Sequence, residues 1–311
     1  MQQRYVGNSG LRVSALSLGT MSWAGETDEQ DATEILRTFV EGGGKLVDTA
    51  ASYAEGRAEA MLGSLLGDVV SRTELCISTK AGVSTSDGRR TVDTSRNAML
   101  TGLDASLARL GTDYVDLWFA QAWDGNVPLD ETLSALEFAL RSGRARYVGI
   151  SNFNGWQSAK AAAVAGFPLV AAQAEYSLLH RNPEAELIPA VEDAGLGLMA
   201  WAPLGRGVLT GKYRSSIPAD SRASRNELAP YVEAYLAAQP SSVVEAVAMA
   251  AKGLGRTPLD VSLSWLLAQH GVATAIVGPR TPVQAKEILA AQLTRLPPEI
   301  ARALEDVSLP A

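Results

Sequence analysis

"LWFAQAWD", residues 117–124, opens with four apolar residues and stops at a glutamine. Leu117, Trp118, Phe119 and Ala120 leave neither face of a strand polar, so other parts of the chain must cover both. The same kind of run recurs as "ALSLGT" (15–20), "KLVDTA" (45–50), "LCISTK" (75–80), "YVDLWFAQ" (114–121), "ARYVGISN" (145–152), "LVAAQAEY" (169–176), "LGLMAWAPL" (196–204) and "ATAIVG" (273–278). Between these runs lie stretches with helical spacing. The first starts near Thr27, with Asp28 as its cap and Ala32, Ile35, Leu36, Phe39 and Val40 as its apolar stripe. Others cover 57–67, 95–110, 130–142, 154–165 and 184–194. An irregular stretch, 205–227, interrupts the rhythm before helices over about 229–254 and 258–269. Helices over 282–292 and 297–306 follow the last strand.

Doubly apolar strands alternating with helices predict a parallel sheet covered by helices, and eight strands are the number that closes a barrel. The expected fold is α/β, a single (β/α)8 TIM barrel over residues 1–311 with extra C-terminal helices. An N-terminal β-hairpin precedes it, "QQRYV" and "LRVSA" around "GNSG". A doubly wound sheet would carry G-x-G-x-x-G in its first strand-to-helix turn, and "GTMSWAG" does not fit that pattern.

The totals narrow the classes. The 311 residues are 47% hydrophobic and 20% charged, with a net charge of -7. That acidic balance argues against a nucleic-acid partner, which needs a basic stripe. Cys76 is the single cysteine, so no internal disulfide forms, in keeping with a cytoplasmic location, and it reads as an inert strand residue. The N-terminal "MQQRYVGNSG" lacks the regions of a secretory signal, and no apolar run approaches the roughly 20 residues of a membrane span. No membrane partner and no metal site are expected.

Barrel sites lie at the C-terminal ends of the strands. In order, those ends carry Gly19 and Thr20, Asp48 with Tyr53 beyond, Lys80, Gln121, Ser151 and Asn152, Gln173 with Tyr176, Trp201, and Gly278 with Arg280. Each has a structural explanation by itself: a capping Asp, a snorkelling Lys, a packed Tyr. Together they converge on one mouth. Asp48, Tyr53 and Lys80 also make chemical sense as a set. A free phenol titrates near ~10, too high for an efficient acid at neutral pH. A lysine ammonium beside it favours the phenolate and is expected to lower that value, while a carboxylate holds the lysine charged. The product is a phenol able to protonate a carbonyl oxygen.

With these residues in view, the chain resembles the aldo-keto reductase superfamily along essentially its whole length. The motifs are "LVDTAASY" (46–53), "ISTKAG" (77–82), "LGTDYVDLW" (110–118), "VGISNF" (148–153), "QAEYSLL" (173–179), "WAPLGRGVLTGKY" (201–213) and "IVGPRTPVQAKE" (276–287). The resemblance implies a TIM barrel, NADPH/NADP+, and reversible reduction of aldehydes or ketones. Its Asp–Tyr–Lys–His tetrad matches Asp48, Tyr53 and Lys80. Gln121 stands where the histidine belongs. The two histidines, His180 in "SLLHRN" and His270, are elsewhere, and an exposed loop position is the simpler reading of His180. An amide donates a hydrogen bond as a neutral imidazole does, so Gln121 can orient a carbonyl, but it cannot titrate. Potassium-channel β subunits, similar in architecture, carry asparagine at the matching place and reduce carbonyls slowly.

For the cofactor, the resemblance assigns Ser151, Asn152 and Gln173 to the nicotinamide carboxamide and Trp201 to stacking on the nicotinamide, with Tyr176 behind. Gly19, Thr20 and Asp48 lie along the same mouth. Ala202, Pro203, Leu204, Gly207 and Leu209 would form the pyrophosphate loop, with Lys212 on phosphate. The stretch 205–226 holds Arg206, Lys212, Arg214, Arg222 and Arg225 against Asp220 alone, a local basic excess that suits an anion or a solvated loop. Arg222 and Arg280 are expected at the 2'-phosphate, near Gly278 and a helix that Thr281 would cap. Gln284 and Glu287 would meet the adenosine, while Ile288 replaces a frequent asparagine. Three cations favour NADPH over NADH.

Trp23, Tyr53, Gln121 and Trp123 are expected at the substrate mouth, with a small-molecule carbonyl as partner. The short end, "VSLPA", offers no long tail to close it. Three readings stay open: a general NADPH-dependent carbonyl reductase, a nicotinamide-binding sensor or partner subunit with little turnover, and a narrow sugar ketoreductase. The oligomeric state is open too, a homo-oligomer among the alternatives.

Overall fold

The computed structural model describes residues 1–86, 89–219, 221–224, 229–236 and 238–309. Its first two strands, β1 (Gln3–Tyr5) and β2 (Arg12–Ser14), pair antiparallel with Arg4 opposite Val13. This ribbon stays outside the barrel. Val6, Leu11 and Val13 pack into one cluster with Leu46, Leu117, Phe119, Ala171 and Met199 from the strands. The amide of Asn8 donates to the carbonyl of Gly195, just before a barrel strand begins, so the hairpin plugs the N-terminal end. Burying these apolar side chains stabilises the plug by roughly 1.5–3 kcal/mol each.

In chain order the rest is β3 (Leu16–Gly19), α1 (Glu29–Glu41), β4 (Leu46–Asp48), α2 (Arg57–Leu65), β5 (Cys76–Ala81), a small ribbon β6 (Val83–Ser86) and β7 (Arg89–Val92), α3 (Arg96–Leu110), β8 (Val115–Ala120), α4 (Leu129–Arg141), β9 (Ala145–Ser151), α5 (Gly155–Val164), β10 (Ala171–Glu175), α6 (Leu187–Asp193), β11 (Gly197–Trp201), α7 (Ala229–Glu233), α8 (Ala238–Leu254), α9 (Pro258–Ala268), β12 (Val272–Val277), α10 (Pro282–Leu289) and α11 (Pro298–Val307). β3, β4, β5, β8, β9, β10, β11 and β12 close on themselves as a parallel barrel, with β12 returning to β3.

Local chemistry explains where the helices begin. Asp28 accepts the amide of Asp31 at 2.9 Å, and Glu29 and Asp31 face the positive helix end. Asn154–Gln157 and Thr257–Asp260 form capping boxes, and Pro258 and Pro282 sit in first turns, where a missing amide proton is harmless.

Two expectations change. The helix expected over 229–254 is two helices. Pro240 lacks the amide proton a continuous helix would need, so the longer helix has to start just before it. The β6–β7 ribbon was not expected, because its face is polar and only its S-D-G-R centre, Ser86–Arg89, signals a hairpin. Cys76 starts β5, and burial pushes its thiol well above the ordinary range, with nearby Asp116 adding to the effect. Among the described residues no helix is long and apolar enough to cross a membrane.

Candidate active site

A strand points alternate side chains inward, so residues two apart stack in layers inside a barrel. Leu117 and Phe119 fill the lower barrel, and Gln121 is the next inward position on that strand. The same step leads from Leu46 to Asp48, from Ser78 to Lys80, from Ala171 to Gln173, and from Met199 to Trp201. The polar strand ends therefore form one layer above the apolar filling.

Lys80 is fully buried, and its ammonium donates to Asp48 Oδ2 at 2.7 Å, Thr49 O at 2.8 Å and the Tyr53 phenol oxygen at 3.4 Å. All three of its protons are thus placed. The phenol oxygen accepts from Lys80, which leaves the phenol proton free for another acceptor. Asp48 Oδ1 accepts from Ser78 Oγ at 2.7 Å and Gln173 Nε2 at 2.9 Å. Burial works against the Lys80 charge, yet Asp48, the phenol and their hydrogen bonds outweigh it and hold the ammonium above its usual range. For Tyr53 the balance goes the other way from the sequence-based expectation. Burial, with Asp48 adding to it, outweighs the lowering by Lys80, so the phenol proton is held more tightly than in water.

The backbone after Tyr53 is strained. Ala54, Glu55 and Gly56 take positive φ angles of 48°, 59° and 85°. For the two residues with a side chain this costs roughly 1–2 kcal/mol each. Gly56 is favoured here by its φ of 85°, a conformation side chains rarely adopt, and it lies against the Arg109 side chain.

Gln121 does not stand alone at the mouth. Its Nε2 donates to Ser52 Oγ at 2.8 Å, and Ser52 Oγ faces Gln121 Oε1 at 3.1 Å. Asn152, at φ 57°, donates from Nδ2 to the Gln121 carbonyl at 2.9 Å and accepts Trp201 Nε1 on Oδ1 at 3.1 Å. Ser151 is buried beside it. Thr20 donates from N and Oγ1 to the Asp48 carbonyl, at 3.0 and 3.2 Å. Ser52, Thr49 and Ser78 were missed from the sequence. Ser78 was findable, two residues before Lys80 on an inward-facing register. Ser52 shows its role only when the loop is folded over β5.

Beyond β11, Gly205, Arg206 and Gly207 are all left-handed, at 53°, 57° and 93°, and a Cβ on Gly207 would lie 3.1 Å from Lys212 Nζ. Ala202 is left-handed as well, at 49°. Pro203 is buried, Leu204 half-buried, and Leu209 fully buried in the core, so its side chain faces away from any ligand. Lys212 is exposed, over the Tyr213 ring. Arg206 pairs with Glu175 at 3.1 Å, and Tyr235 donates to the same carboxylate at 2.7 Å. Arg280 is 9% exposed, just before α10, and its guanidinium holds Glu26 at 2.8 Å. Gln284 Oε1 accepts the Arg280 amide at 2.9 Å, Glu287 and Gly278 are exposed, and Ile288 is turned into the core. The Arg222 side chain and the whole of Asp220 and Arg225 lie outside the described residues.

Trp23 is fully buried in the core rather than open at the mouth, and Met21 beside it is exposed. Trp123 is half-buried, edge-on to Phe153 at 5.3 Å and to Trp156 at 5.1 Å. Tyr176 is buried, donates to Glu184 at 2.6 Å and packs on Trp265, so it belongs to the outer layer. His270 pairs with Glu192 on the surface, and His180 sits in a turn with Ser177.

The parallel barrel carries a buried Asp48–Lys80 pair against the Tyr53 phenol at its C-terminal mouth, and the chain belongs to the aldo/keto reductase family, whose profile matches residues 15–308. Among its relatives is an uncharacterized oxidoreductase, YrpG, of Bacillus subtilis (strain 168), 35% identical over 99% of this chain and 96% of that one. The L-glyceraldehyde 3-phosphate reductases of Escherichia coli O157:H7 and K12 are each 36% identical over 92% of this chain and 86% of theirs.

Proposed function

We propose that the chain reduces aldehydes or ketones to alcohols with NADPH, with Tyr53 as general acid. The observation that carries this reading is the hydrogen-bond chain from Asp48 through Lys80 to the Tyr53 oxygen. Lys80 donates to that oxygen, so the phenol proton is directed away from the lysine. Donating it to a carbonyl oxygen develops phenolate charge, which the adjacent ammonium stabilises. Gln121 keeps a second amide proton beyond the one given to Ser52, able to orient the carbonyl.

The residues suit the cofactor by their donor set. Ser151, Asn152 and Gln173 line one side with Trp201 as an aromatic platform, the Gly205–Gly207 turn brings backbone within reach of Lys212, and Arg280 stands at the N-terminus of α10. When bound, the reduced nicotinamide supplies a hydride to the carbonyl carbon. Among the substrates to try, the relatives' L-glyceraldehyde 3-phosphate comes first, beside aromatic and aliphatic aldehydes and sugar ketones.

A second reading, a cofactor-binding protein with little turnover, is favoured by the engagement of Gln121 with Ser52, which leaves one amide proton where the family has an imidazole. The test is NADPH oxidation with that panel, for the native chain and Gln121→His, with cofactor binding followed by tryptophan quenching. Rapid turnover by the native chain supports the reductase. Binding without turnover, cured by histidine, supports the second reading.

A further inference from the structure

The Tyr53 phenol oxygen accepts a long hydrogen bond from Lys80, 3.4 Å, while its ring packs on the core and its amide reaches the Ala50 carbonyl at 3.1 Å, on a loop with left-handed residues at Ala54, Glu55 and Gly56. The place of the phenol oxygen then depends on that packing and on what grips the loop. On its far side Arg57 Nε donates to the Ala54 carbonyl at 2.9 Å, and Gly56 packs against Arg109. On its near side the Ala51 amide reaches the Lys80 carbonyl at 3.2 Å, and the Ser52 side chain crosses β5 to the Gln121 amide. The Gln121 backbone carbonyl accepts from Asn152 Nδ2, and Asn152 Oδ1 accepts from the Trp201 indole. The result is a continuous rim, Trp201–Asn152–Gln121–Ser52, whose end is covalently joined to Tyr53.

We infer that this rim is a positioning device for the phenol, with Ser52 as its latch. Gln121 then serves Tyr53 as much as the substrate. The inference deepens the reductase reading and rests on it for its kinetic test. An imidazole in place of the glutamine amide would need a different grip on the serine, so the serine and the glutamine form a matched pair.

Physical reasoning gives three expectations. Ser52→Ala removes the latch but leaves Lys80 and Asp48 in place, so kcat should fall about tenfold or more through loss of alignment. NADPH affinity and carbonyl KM should change less than twofold. Ser52→Thr keeps the hydroxyl and should restore most of kcat. Because both residues act through one contact, Gln121→Ala combined with Ser52→Ala should be no slower than Gln121→Ala alone.

The experiment is this set of variants read by kcat, KM and tryptophan quenching, together with NMR of protein isotopically labelled at the phenolic carbon of tyrosine, the Tyr53 signal being assigned with Tyr53→Phe. Full kcat in Ser52→Ala, or losses that multiply in the double variant, overturns the inference. If the native chain turns over no carbonyl, the reductase reading fails while the latch is still decided by the Tyr53 signal. A signal that moves in Ser52→Ala and returns in Ser52→Thr supports the latch, and one that does not move overturns it.

Discussion

At the scale of the residue, the proposed roles of Tyr53 as acid and Gln121 as a non-titrating donor predict the pH behaviour. A phenol raised above its ordinary value of ~10 stays protonated through neutral pH, and so does an ammonium raised above ~10.4. Both folded values are raised, so their contribution is complete below the ordinary values and is lost as pH rises through the folded ones. kcat/KM for carbonyl reduction should therefore be level across the imidazole range and fall only above about pH 10. Gln121→His should add a new limb near ~6.5. A limb there in the native chain would contradict Tyr53 as the acid. Glu26 governs a second residue-scale effect. Its carboxylate occupies the guanidinium expected at the 2'-phosphate. Glu26→Gln should tighten NADPH over NADH by roughly threefold to tenfold, since a like charge beside the phosphate is removed. Quenching titrations with both nucleotides check it, and an unchanged ratio places the 2'-phosphate elsewhere.

At the scale of the element, α2 and α3 are joined through a buried carboxylate. Glu59 is fully buried, accepts Thr79 Oγ1 at 2.5 Å and holds Arg109 Nε at 2.7 Å. Removing the arginine strands that charge, so Arg109→Leu should cost about 3 kcal/mol in chemical denaturation. Glu59→Leu added to it should recover much of the loss, because the stranded charge is then gone. The α1, α5 and α9 boundaries were legible in the sequence because their caps are local, within three residues of the helix start. The β6–β7 ribbon was not, because it has no apolar alternation and only its turn distinguishes it from a loop.

At the scale of the whole molecule, barrel closure depends on close contacts inside. Gly149 on β9 lies opposite Phe119 on β8, and a Cβ there would be 2.5 Å from the Ala171 carbonyl oxygen and 2.7 Å from the Phe119 ring. Gly149→Ala should destabilise the fold by about 1–3 kcal/mol, with the strand backbone unable to yield as a side chain could. A melting temperature equal to that of the native chain would mean the barrel has slack at this layer.

The sequence by itself determined the eight barrel strands and which polar residues lie near their ends, because doubly apolar runs and their spacing are properties of neighbours along the chain. Gly19, Asp48, Lys80, Gln121, Ser151, Gln173 and Trp201 were all legible as strand-end residues. Only the tertiary structure decided what each of them holds. Gln173 turns to Asp48, Asn152 to Trp201, Arg280 to Glu26, and Gln121 to Ser52. Trp23, which looked like a mouth residue, went into the core. The physical reason is range. A capping or alternation pattern is written within a few residues, whereas the partner of a side chain at the mouth comes from another strand and is fixed by the barrel's closure.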